Sequence, residues 1–198
     1  MAFTRVQIIS HALTLMGRKP ITSLSQQSDI VNSADQAFDL LLTSAISIGF
    51  WRFATTIAVL QKLNITPVGG YWAYAYSLPA DYLKMVHLWP QLYDFEIYQD
   101  AQLYTSFNNS NQPLYIEYNF LPPETMLPAY FIKYFCYELA CHLALSNAQL
   151  PDYTQELERK RVIELSIAQA ADTQNRPQSP LRSQPMVALR FVSSFASG

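Results

Sequence analysis

The stretch ISIGFWRFATTIAV, Ile46 to Val59, decides the fold, because the hydrophobic period changes inside it. Upstream, Val31, Ala34, Phe38, Leu41, Leu42, Ala45 and Ile46 recur at three- and four-residue steps, the signature of one buried helical stripe. Ser28 is a side-chain cap at the start of that helix and Gly49 a stop at its end. Downstream, FWRFATTIAVLQKL is aromatic and β-branched, which favours strands. The chain therefore leaves a helix and enters a sheet within a few residues of Trp51 and Phe53. We expect these two aromatics to form the helix–sheet junction.

Working towards the N-terminus, Val6, Ile9, Leu13 and Met16 give a shorter stripe, closed by Gly17 and then by Pro20, which cannot continue a helix. Helices are expected over 4–17 and 28–49. Towards the C-terminus, Gly69-Gly70 divides the first strand run from YWAYAYSLP, and the two read as strands joined across a turn. DYLKMVHLW, YDFEIYQ, AQLYTSF and LYIEYNF follow at short intervals. One small antiparallel sheet is the economical reading of a β-rich insertion over 50–121. MLPAYFIKYFCYELACHLAL, from Met126, is apolar nearly all round and long enough to span a bilayer, but Lys133, Glu138 and His142 interrupt it. The reading is a central helix over 126–148, followed by a charged one over 152–171. The expected fold class is α+β: a bundle of about four helices with an inserted small sheet, forming one domain over 1–172. Residues 173–198, with three prolines and no helical stripe, read as an extended C-terminal tail.

Composition narrows the function. Half of the 198 residues are hydrophobic and only 14% are charged, with a formal net charge of −2. A free nucleic-acid binder would need clustered Lys and Arg instead. With 13 Tyr, 11 Phe and 3 Trp, more aromatics are present than one core should hold, and tyrosine-rich surface is typical of protein interfaces. The tail carries Arg176, Arg182 and Arg190 and no acid, whereas 81–124 holds six acids against Lys84 alone, a net of −5.

The residue types that carry chemistry do not converge. Cys136 and Cys141 project well apart on a helix and read as core residues in a reducing compartment. His142 adjoins Cys141, but neighbouring helical positions point about 100° apart and cannot form a nucleophile–base pair alone. Asp94 and Glu96 share one strand face, which most often only solvates an exposed strand. His11, His87 and His142 lack metal-ligand spacing, and neither a phosphate loop nor a nucleophile elbow is present. No catalytic, cofactor-binding or metal-binding residue is assigned, and MAFTRVQIISHALTLMG, interrupted by Gln7, Ser10 and His11, is not expected to be a signal peptide.

The order of parts is more informative. ALTLMGRKPITSL, with Gly17 and Pro20, is followed by ADQAFDLLLTSAISIG, from Ala34 through Ile46, and then by FWRFAT, with Trp51 and Phe53. Together with YSLPADYLKMVHL (76–88) and LPAYFIKYFCYELACHLA (127–144), this series resembles the tail tubular protein A family of short-tailed, podovirus-like bacteriophages over residues 4–172. The tail lies outside the resemblance. What the resemblance implies is a structural virion protein: a head-to-tail adaptor forming a dodecameric ring between the portal protein and the tubular tail nozzle. Its channel would pass DNA without binding it specifically. It further implies location in the virion tail after assembly in the host cytoplasm, no cofactor and no membrane. Two other classes remain open from the residues alone. A small hydrolase in the β-rich region would show a pocket of convergent polar groups, and a single-stranded nucleic-acid-binding module would use the tyrosine-rich strands for stacking.

Within the tail, MVALRFV alternates Val187, Leu189 and Phe191 with Ala188, Arg190 and Val192, so an extended segment presents one wholly apolar face. These three residues are the expected docking element, for a partner's sheet edge or groove.

Overall fold

The computed structural model describes residues 3–25, 28–67, 69–90, 94–99, 101–110, 112–146 and 151–174. Helix α1 (Arg5–Leu15) starts from a capping box, in which Thr4 and Gln7 satisfy each other's backbone donors. It ends where Gly17 takes a positive φ and the N–H of Arg18 returns to the carbonyl of Leu13. Helix α2 (Asp29–Ile48) is capped by the Ser28 hydroxyl, which accepts from the N–H of Val31. Helix α3 (Ala129–Ser146) starts later than 126. Pro128 disfavours helical geometry at Leu127, so Glu124–Met126 form a separate 3₁₀ turn. Helix α4 (Pro151–Thr173) completes the set.

Helix α3 is the centre. It packs against α1, α2 and α4, and Phe131, Phe135, Cys136, Leu139 and Ala140 are fully buried on it. No helix among the described residues is long and apolar enough to cross a membrane.

The expectation of a helical bundle carrying one small sheet is overturned. Seven strands lie among the described residues and form two antiparallel sheets with a core of their own. β1 (Thr55–Val59), β7 (Tyr115–Phe120) and β4 (Tyr82–Trp89) make a three-stranded sheet in the order β1-β7-β4. β2 (Gln61–Leu63), β3 (Tyr74–Ser77), β6 (Gln102–Thr105) and β5 (Phe95–Tyr98) make a four-stranded one in the order β2-β3-β6-β5. Leu60, at the bend between β1 and β2, joins Tyr76, Leu88, Leu103, Ile116 and Tyr118 in the core that the sheets share. The fold is thus a mixed α+β structure with a helical core and a separate sheet core.

The strand partners explain the error. β2 and β3 do pair across the Gly69-Gly70 turn, but β1 pairs with β7, Thr55 opposite Asn119 and Val59 opposite Tyr115. FWRF is not strand either, since Arg52–Ala54 form a 3₁₀ turn. The excess of tyrosines is partly absorbed by the second core, where Tyr76 and Tyr118 are buried.

Candidate assembly surface

The site begins at the helix–sheet junction. Trp51 is 1% exposed, its Nε1 donates to the Ala45 carbonyl at 2.9 Å, and its ring stands edge-on to Phe131 with centroids 4.9 Å apart. Phe53 lies beside both rings and is partly buried. Gly49 is required here by space, since a Cβ on it would overlap the Trp51 indole.

Strand alternation sets the polar half of the junction. On β7, Ile116 and Tyr118 face the sheet core, so Glu117 and Asn119 face the other way, and both are buried. The Asn119 amide donates to the Gly49 carbonyl at 3.1 Å, closing the exposed end of α2. Arg52 Nη1 meets Glu117 Oε1 at 3.2 Å. The Asp172 carboxylate, 1% exposed near the end of α4, accepts from the Arg52 N–H at 2.6 Å and from the Tyr130 hydroxyl at 2.7 Å. One carboxylate therefore fixes the end of α4 beside the start of β1. Asn119, Glu117 and Asp172 were not expected at this junction, because nothing in their spacing marks them as buried.

A second ionic group ties the N-terminus down. Arg5 forms ion pairs with Asp35 at 2.7 Å and Asp39 at 3.0 Å, its backbone N–H donates to Glu124, and its guanidinium lies 4.5 Å over the Phe38 ring. On the far side of α3, Glu138 accepts from both the Tyr134 hydroxyl and Arg161, each at 3.0 Å.

Outside these junctions, large apolar side chains are exposed on several elements. The end of α2 shows Ile48 and Phe50 at 70% and 66%, and β1 shows Ile57 and Val59 at 60% and 54%. Tyr115 of β7 lies opposite Val59, and Trp89 of β4 lies opposite Tyr115. Both are exposed, so one row runs across the whole outer face of the three-stranded sheet. Next to it, Phe50, Arg52, Thr55, Val86 and His87 line a hollow of about 290 Å³. On α4, Val162, Ile163 and Ile167 are exposed as well.

The residues weighed for chemistry stand apart. Burial pushes the Cys136 thiol up to about 12 and the Cys141 thiol up to about 11, so both are protonated at neutral pH. His142 is exposed and turned away from the buried Cys141. Asp94 and Glu96 are exposed, and Glu96 accepts from Trp72 Nε1 at 3.1 Å. A larger cavity of about 410 Å³ lies between α1 and α3, lined by Phe3, Ile8, Ile132 and Cys136 with Gln7, His11 and Lys133. Its lining is mostly apolar. No group of three metal-ligating side chains comes together among the described residues. Val187, Leu189 and Phe191 lie outside the described residues.

No family model matches the chain, and no curated protein matches it in sequence.

Proposed function

We propose that the chain is a structural head-to-tail adaptor of a short-tailed bacteriophage, a subunit of a dodecameric ring seated between the portal protein and the tubular nozzle of the tail. The ring would surround a channel for DNA. The resemblance in motif order over residues 4–172 motivates this reading. The observation that carries it is the pair of dissimilar exposed apolar surfaces, Ile163 and Ile167 one helical turn apart on α4 and Ile57 and Val59 on β1. A heterologous ring needs two different faces on each subunit, one to give and one to receive, whereas a two-fold dimer needs only one.

Association must also overcome lost translational and rotational freedom, so ring formation is expected to need the portal as a template. Light scattering over a concentration series should show a monomer alone and a ring with the cognate portal, visible in electron micrographs. Absence of any ring on the cognate portal sinks the adaptor reading. Replacing Ile163 with Asp on the α4 face should abolish the ring while leaving the fold intact.

A further inference from the structure

We infer that the sheet unit, from Thr55 to Phe120, swings as one body against the helices about a hinge formed by Ala54–Thr55 and Phe120–Leu121. The unit is one continuous stretch of chain, so only two crossings join it to the rest. Both lie at one rung, because Thr55 is the register partner of Asn119 at the end of the β1–β7 ladder. Two adjacent crossings define a single axis, whereas crossings at opposite ends would clamp the unit. The side chains divide in the same way. The sheet core draws its members from 58–120, and among the described residues of 55–120 only Leu83, partly buried, packs against the helical core. A joint with so little shared apolar packing permits relative motion.

What holds the two bodies together beyond the crossings is mainly polar. On the helical side, the Asp172 carboxylate fixes the Arg52 backbone, so the stiff body extends as far as the 3₁₀ turn. From β4, Lys84 Nζ reaches back to the Ser47 carbonyl at 3.2 Å and lies 4.7 Å from the centroid of the Phe50 ring. There a cation also meets the negative end of the α2 dipole. From β7, Glu117 Oε1 pairs with Arg52 Nη1 at 3.2 Å. The Asn119 amide and the Thr55 hydroxyl bond across the joint as well, but they sit at the crossings, where displacement is smallest. Lys84 and Glu117 are therefore the latch. Such groups take up water in place of one another when they part, so they yield where a packed apolar seam would hold. The hollow of about 290 Å³ lies in the joint itself, with Phe50 and Arg52 on the helical wall and Thr55, Val86 and His87 on the sheet wall. It leaves the two walls room to approach or separate.

The test is double electron–electron resonance on the full chain, spin-labelled at Leu40→Cys on α2 and Gln61→Cys on β2. Both positions are exposed, while Cys136 and Cys141 are buried and escape labelling. Gln61 is six residues from Thr55, at most about 20 Å away, so a swing of about 15° displaces it by about 5 Å. Labels at Leu40→Cys and Leu145→Cys, both on helices, give the control distance within one body. Lys84→Met with Glu117→Gln releases the latch and keeps both aliphatic stems. In that chain the Leu40–Gln61 distances should shift or broaden by about 5 Å against the parent, with the Leu40–Leu145 distances unchanged. Lys84→Arg, which keeps a cation for the Ser47 carbonyl, should give the parent's distribution. Lys84→Met alone, a change at a partly exposed side chain, is read in the same way should the double variant fail to fold. Unlatched chains whose Leu40–Gln61 distances match the parent's overturn the hinge. So does equal broadening of both label pairs, which means general loosening instead of a swing. Neither result depends on the portal, so the hinge and the adaptor reading stand or fall separately.

Discussion

Gly49 packs directly against the Trp51 indole, and a double-mutant cycle there gives a sharp test of the junction. Trp51→Ala removes a side chain that is 1% exposed and touches Phe131, Phe53 and Tyr134. Truncating a buried aromatic of this size costs about 3–5 kcal/mol. Losing the Nε1 donor also strands the Ala45 carbonyl, worth about 1 kcal/mol, so the expected loss is about 5 kcal/mol. Gly49→Ala is different, because Gly49 has φ −91° and ψ 160°, extended backbone that alanine adopts freely. Its only cost is the collision of the new Cβ with the indole, about 1–3 kcal/mol for overpacking. Once the indole is gone the collision goes too. In a Trp51→Ala or Trp51→Leu background, Gly49→Ala should therefore be neutral, or stabilising by about 0.4–1 kcal/mol through reduced freedom of the unfolded chain. Urea denaturation of the four chains, read by far-ultraviolet circular dichroism, gives the coupling as the departure from additivity. An equal cost of Gly49→Ala in both backgrounds would refute the close approach of the glycine and the indole, and a Trp51→Ala loss below about 1 kcal/mol would refute the burial itself.

Three further outcomes follow from neighbouring groups. Asp172→Ala leaves the Arg52 N–H and the Tyr130 hydroxyl without their acceptor and should cost about 2–3 kcal/mol in the same urea assay, while Ser33→Ala on the exposed face of α2 should change little. The Cys136 and Cys141 thiols ionise at higher pH folded than unfolded, so folding is favoured below their ordinary value near 9 and loses that stability as pH rises towards 11 and 12. The parent should thus lose stability between pH 9 and 11 more steeply than a Cys136→Ala, Cys141→Ala chain, and parallel denaturation midpoints across that range would contradict the assignment. Truncation after Asn175 should leave the fold intact and weaken assembly on the portal; equal assembly by sedimentation would show that the tail is no anchor.

The local grammar of this chain was legible because it depends on neighbours a few residues apart. Ser28 and Gly49 bracket a helix observed at Asp29–Ile48, and the stripe from Val31 to Ile46 is the face that α2 buries. The segments that form β2 to β7 were recognisable as strands from their period and residue types. What no local pattern contained was their partners. β1 bonds to β7 some sixty residues later, not to the strand across the next turn, and that choice divides the strands into two sheets with a shared core. The polar junction was hidden for the same reason. Glu117 and Asn119 alternate with apolar residues as any solvent-facing strand positions would, and Asp172 sits in a charged helix. They are buried because α2, the Arg52 turn and α4 close over them from distant parts of the chain. Periodicity fixes which side of an element a residue occupies, but whether protein or water lies on that side is decided only when the elements meet.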